Sequence, residues 1–136
     1  MKTVLVVEDN PLILKFYRMA LERQGGFRVR TTENVNEIVT LARSKSVDAV
    51  ILDISLSNAE YQGKKIDGIQ IARILREDPA SADIPILVIT AHAMEGDRER
   101  IILATGADDY LQKPIYDTQK LVAKINELIR SRNEQP

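Results

Sequence analysis

Glu8 and Asp9 stand side by side in the stretch VVEDNP, at the end of a short apolar run. Two carboxylates about 4 Å apart repel by roughly 4 kcal/mol at an effective dielectric of 20. A fold tolerates such a pair readily when a cation sits between them. A third acid, Asp53, closes the run AVILD, Thr90 closes PILVIT, and Lys113 follows DYLQ directly before Pro114. Clustered acidic oxygens suit a hard cation such as Mg²⁺, which binds few protein groups and keeps several waters. Thr90 and Lys113 supply donors for an anion placed between that cation and the ammonium. A phosphoryl group meets both demands, because its transfer rests on positioning and on neutralising developing charge. One carboxylate then serves as nucleophile and the others as metal ligands. Asp53 is central and Glu8 and Asp9 are paired, so Asp53 is the better nucleophile.

These residues converge only if their strands run parallel and end on one rim. Short apolar runs recur at 3–7, 27–31, 49–53, 85–90 and 109–112. Three of them, at 4–7, 49–52 and 86–89, are continuously apolar, as in parallel strands covered on both faces. Helical stretches lie between them. The first, 11–24, opens with Asn10 as N-cap and Pro11 at the first helical position. Leu12, Phe16, Met19 and Ala20 read as its apolar stripe, and Gly25-Gly26 as its stop. Asn34 with Glu37 suggests a capping box for a helix over 34–44. Further helices are expected over 68–76, 94–105 (ending at Gly106) and 118–132. The alternation predicts an α/β protein with (βα)5 order, a five-stranded, doubly wound parallel sheet with right-handed crossovers. In such sheets ligands bind beyond the carboxyl ends of the strands, where all five residues fall.

Bulk properties narrow the field. At 136 residues the chain makes one domain, expected over 1–132 with a short tail at 133–136. It is 44% hydrophobic and 29% charged, which argues against disorder. A net charge of −1, from 19 basic and 20 acidic residues, offers no general handle on nucleic acid. Without cysteine there can be no disulfide or thiolate metal site, in keeping with a reducing cytosol. The most apolar run, 84–91, is far short of the ~20 residues a membrane span needs. The N-terminal apolar run is too short for a signal peptide. The expectation is a cytoplasmic protein with no membrane partner.

In sequence order, the paired acids of VVEDN, the aspartate of VILD, the threonine of VITA and the lysine-proline of LQKP resemble the receiver domains of two-component response regulators. The resemblance runs from Lys2 to about residue 132 and implies a flavodoxin-like fold. It implies that Asp53 accepts a phosphoryl group from a histidine kinase or phosphotransfer protein, catalysing its own transfer and slow dephosphorylation without being an enzyme in the ordinary sense. Glu8, Asp9 and Asp53 would bind Mg²⁺, with the Ser55 main-chain carbonyl as a further ligand. Thr90 would bond one phosphoryl oxygen and Lys113 would pair with another. Tyr110 matches the family's aromatic switch position, and the Lys113–Pro114 bond would be cis. Signalling would pass to a downstream protein target through altered contacts. One departure stands out. The family pattern reaches a glycine eight steps after the aspartate, whereas Asp53 and Gly68 are fifteen steps apart.

Taken singly, each residue has an ordinary reading. A strand-end acid is usually a solvated loop residue or a cap, Thr90 a plain β-former, Lys113 surface decoration, Tyr110 an edge aromatic, and His92 an exposed loop residue. Only their combination carries weight. A Mg²⁺-dependent aspartyl-phosphate phosphohydrolase is the main alternative, although Ser55 stands where such enzymes place a second acid. A receiver-like adaptor that takes no phosphate is another. The polar stretch 57–66 is expected to lie outside the core, as a partner contact or a shield for the site.

Overall fold

The computed structural model describes residues 1–56, 59–91 and 97–134. In chain order its strands are β1 (Thr3–Val7), β2 (Arg28–Thr31), β3 (Ala49–Asp53), β4 (Ala59–Tyr61), β5 (Lys64–Ile66), β6 (Ile86–Thr90) and β7 (Asp109–Gln112). The helices are α1 (Pro11–Met19), α2 (Val35–Arg43), α3 (Gly68–Glu77), α4 (Asp97–Thr105) and α5 (Thr118–Glu134), with a π-helical turn, Ala20–Gln24, extending α1. Five strands form one parallel sheet in the order β2-β1-β3-β6-β7, the expected doubly wound arrangement. The reversal of strand order lies between β1 and β3, which carry Glu8 and Asp53 at their ends.

The continuous apolar runs are explained by two cores, one on each face. Leu5, Val7, Val50, Leu52, Ile86 and Val88 pack with Ile38 and Leu41 of α2 and Ile71 and Leu75 of α3. The alternate residues Val4, Val6, Ile51, Leu87 and Ile89 pack with Tyr17, Leu21, Leu121 and Ile125. Every residue of β1, β3 and β6 is buried.

Four local expectations change. The α1 stripe is not Leu12, Phe16 and Met19, which are 80%, 42% and 41% exposed. The row Ile13, Tyr17 and Leu21 faces the sheet instead. Apolar residues stand on both sides of this helix, so periodicity alone offers two rows and packing selects one. At Asn34 only half a capping box forms: its side chain accepts from Glu37 N–H at 3.0 Å, while its own N–H donates to Thr32 Oγ1 at 3.1 Å. The reciprocal box lies at the start of α3, where Asp67 and Gln70 each accept from the other's N–H at 2.9 Å. Helix α4 is described from Asp97, leaving 94–96 of the expected span outside the described residues. Helix α5 runs to Glu134, so it takes in half of the expected tail.

The fourth change is the stretch 57–66. Residues 57 and 58 lie outside the described residues. The remainder is an antiparallel hairpin, β4–β5, turning at Gln62 and Gly63 with φ of 54° and 80°. Two successive positive φ values are the type I′ signature that matches strand twist. Its base is packed, contrary to the expectation: Leu56 and Ala59 are buried in the core, with Tyr61 and Ile66 against it. Excising the whole hairpin would strip apolar cover from the α2 side of that core.

Candidate functional site

The sequence places Glu8 and Asp9 just after β1, Asp53 at the end of β3, Thr90 at the end of β6 and Lys113 just after β7. Parallel pairing brings these ends to one rim. Oxygens of Glu8, Asp9 and Asp53 lie within 4.8 Å of one another. Glu8 and Asp53 are buried and Asp9 is exposed at the mouth. Lys113 Nζ donates to Glu8 Oε1 at 2.6 Å and to Asp53 Oδ2 at 2.9 Å. The other Asp53 oxygen accepts from Ser55 N–H at 2.9 Å. Glu8 Oε2 accepts from the N–H groups of Asp9 and Asn10 at 2.9 and 3.3 Å. Lys113 N–H donates to Thr90 O at 2.8 Å, tying the lysine to the strand that carries the threonine. The Lys113–Pro114 bond is cis.

Thr90 is buried beside this cluster, and Tyr110 is half-buried. Val88 pairs with Tyr110 and Thr90 with Gln112. Residues two apart on a strand share a face, so Thr90 and Tyr110 are diagonal neighbours on the face covered by α2 and α3. His92 lies outside the described residues.

Electrostatics separates the acids. Burial pushes the Glu8 carboxyl up to about 7, helped by the nearby Asp53 carboxylate and opposed by Lys113. Burial also acts to raise Asp53, but the Ser55 N–H and the Lys113 ammonium outweigh it and hold that carboxyl below its usual range. Lys113 loses solvation, yet its two acidic partners keep it more basic than an ordinary lysine. Asp53 is therefore an ionised carboxylate at neutral pH, and Glu8, pushed up to about 7, is the acid that titrates near neutrality.

With all groups ionised, three carboxylates and one ammonium leave two uncompensated negative charges. An all-oxygen donor set with that charge fits a hard divalent cation. Such a cation must displace the proton from Glu8. Its affinity is accordingly expected to fall as pH drops below about 7. In the cation-free protein the same raised carboxyl stabilises folding fully below 4.5, and the contribution is lost as pH rises through about 7. Titrating Mg²⁺ calorimetrically at several pH values checks the first point, and Glu8→Gln should flatten the profile.

Two contributors escaped the sequence reading. The Ser55 N–H on Asp53 has no sequence signal beyond its place two residues on. Gly68 does: it follows the cap Asp67 where a larger residue would serve the helix better. A Cβ there would lie 2.4 Å from Ile54 Cα and 2.5 Å from Asp53 O. The start of α3 thus seats directly on the main chain that presents Asp53.

Comparison with known proteins agrees with this geometry. A family model described as the response regulator receiver domain matches residues 4–126. The polar-differentiation response regulator DivK of Brucella ovis is 35% identical over 114 residues, covering 84% of this chain and 85% of the relative. Among solved structures, the receiver domain of the sensor histidine kinase PA1611 from Pseudomonas aeruginosa superposes with a TM-score of 0.76 at 29% identity. It covers 95% of this chain and 98% of its own, and was crystallised with magnesium coordinated in its active site cleft. A sensor protein from Polaromonas sp. JS666 gives 0.78 at 26% identity, covering 96% and 98%.

Proposed function

The chain belongs to the response regulator receiver domain family, and on that basis we propose that it is a phosphorylation-controlled switch of two-component signalling. Asp53 accepts a phosphoryl group from a histidine kinase or a phosphotransfer protein. The carrying observation is Asp53 itself, with one oxygen on the Ser55 N–H and the other on Lys113, beside Glu8 and Asp9. In the transfer, an Asp53 oxygen bonds to phosphorus as the P–N bond of phosphohistidine breaks. The imidazole leaves with the electron pair and takes a proton from solvent.

Mg²⁺, held by Glu8, Asp9, Asp53 and the Ser55 carbonyl, would supply positive charge against the phosphoryl oxygens. Lys113 moves its hydrogen bond from the Asp53 carboxylate to a phosphoryl oxygen, and the Thr90 hydroxyl donates to another. An aspartyl phosphate adds about −1.5 to −2 of charge at this rim. The displacement of Thr90 frees space beside its diagonal neighbour Tyr110, which turns inward and reshapes the α4–β7–α5 face for a downstream target. A coupling of about 1–3 kcal/mol, roughly 5- to 150-fold in partner affinity, suffices for signalling.

The donor protein would dock over the rim, with part of its footprint on the α1 side. Exposed Leu12 and Phe16 border an apolar groove of about 260 Å³ floored by Tyr17 and walled by Lys113, Pro114 and Ile115. Residues 1–132 are the switch domain in this reading, and its place is the cytoplasm. Among the described residues no helix is long and apolar enough to cross a membrane.

Acetyl phosphate with Mg²⁺ is expected to label the chain up to one phosphoryl group per molecule, followed by slow loss. Chelation of Mg²⁺, or Glu8→Gln with Asp9→Asn, should abolish labelling. Steady turnover of phosphate esters would favour the phosphohydrolase alternative, and no labelling under any donor the adaptor.

A further inference from the structure

The β4–β5 hairpin takes no part in the site chemistry, yet its base borders the acids. Asp9, Glu33, Leu56 and Ala59 line one small crevice, and the Asp9 carboxylate is within 4.8 Å of that of Asp53. The hairpin is anchored at its base, where Ala59 is buried in the core, and exposed at its tip. Glu60, Gln62, Gly63, Lys64 and Lys65 are all exposed. Glu60 faces Lys65 across the ladder. Among the described residues neither Lys64 nor Lys65 enters an ion pair, and with Glu60 the two lysines give the tip a net charge of +1.

A protein that delivers phosphate must bring its phosphohistidine into bonding range of Asp53. Stable interfaces cover about 800 Å² on each partner, a disc of roughly 16 Å radius. Strands of three residues extend only about 10 Å. A footprint of that size centred on Asp53 reaches the hairpin, whereas a small phosphodonor has no surface with which to touch it. We propose that the β4–β5 tip, through Lys64 and Lys65, is a specificity contact for the protein phosphodonor and engages an acidic patch beside its phosphohistidine. The proposal rests on Asp53 as phosphoacceptor. Charges at the edge of an interface act mainly on association rate and on its salt dependence. The contact therefore selects among donors without altering the transfer chemistry.

The test compares two donors on one set of variants. One is acetyl phosphate. The other is the phosphorylated kinase or phosphotransfer domain, from a panel, that labels the wild-type chain fastest. For Lys64→Glu with Lys65→Glu, transfer from the protein donor is expected to slow about tenfold at low ionic strength, through its KM, and the deficit to shrink in about 0.5 M salt. Labelling by acetyl phosphate should stay within about twofold of wild type, since that donor responds only to the site. Lys64→Arg with Lys65→Arg should behave as wild type. Unchanged protein-donor kinetics in the charge-reversed variant would overturn the proposal. So would equal slowing with both donors, because the tip would then act on the site itself. Failure of acetyl phosphate to label wild-type Asp53 would instead strike the phosphoacceptor reading.

Discussion

Lys113→Met is expected to lower folding stability by about 3 kcal/mol at pH 8 and to abolish the phosphorylation-dependent change in partner binding. The lysine bridges Glu8 and Asp53, whose side chains are only 1% and 4% exposed. Removing it leaves two buried carboxylates facing each other without a counter-charge. Breaking a buried ion pair from one side typically costs about 3–5 kcal/mol. Glu8 offers partial relief, because its carboxyl, already pushed up to about 7, rises further and takes a proton. The sign follows: with Glu8 more basic still in the variant, the stability deficit grows as pH rises through neutrality and shrinks in mild acid. Denaturant unfolding at pH 6 and pH 8 checks this, and added Mg²⁺ should restore part of the loss. Asp53→Asn is the contrasting case. It removes one of two like charges and leaves Lys113 paired with Glu8, so its stability should stay near wild type. Equal losses in the two variants would mean that the lysine is not what holds the acids together.

Gly68→Ala is expected to destabilise the protein by about 3 kcal/mol and to slow phosphorylation, although glycine in a helix is usually improved by alanine. The added methyl would meet Ile54 Cα at 2.4 Å and Asp53 O at 2.5 Å. Both are main-chain atoms that cannot rotate aside. Either α3 lifts, exposing Ile71 and Leu75, or the end of β3 shifts and carries the Asp53 carboxylate with it. Thermal unfolding together with the rate of labelling by acetyl phosphate separates this from ordinary helix propensity. A variant as stable as wild type, or more so, would show that the junction has room.

The five-stranded sheet was legible because three strands bury both faces and so read as unbroken apolar runs. The site was legible for a related reason. Its acids and threonine end those same runs, the lysine follows the partly buried β7, and a parallel sheet gathers such ends on one side. What stayed hidden depends on tertiary partners. Helix α1 is apolar on more than one side, and only the sheet beneath it decides that Ile13, Tyr17 and Leu21 go inward. The insertion looked like loop because its apolar residues, Ala59, Tyr61 and Ile66, are spaced among charges; paired across the ladder they form one packed face. The one local signal for it was Gln62-Gly63, a pair suited to a tight turn between Ala59–Tyr61 and Lys64–Ile66. Nothing local shows that Glu8 is the acid nearest Lys113, because those residues are 105 positions apart.

The central claim is that Asp53 carries the phosphate, and locating the label tests it most directly. After reaction with acetyl phosphate and Mg²⁺, reduction of the acyl phosphate with borohydride followed by peptide mass analysis should place the modification on Asp53. The label should be labile to base, and Asp53→Asn should take up none while unfolding at the wild-type denaturant concentration. A base-stable label, or undiminished labelling of Asp53→Asn, would contradict the account.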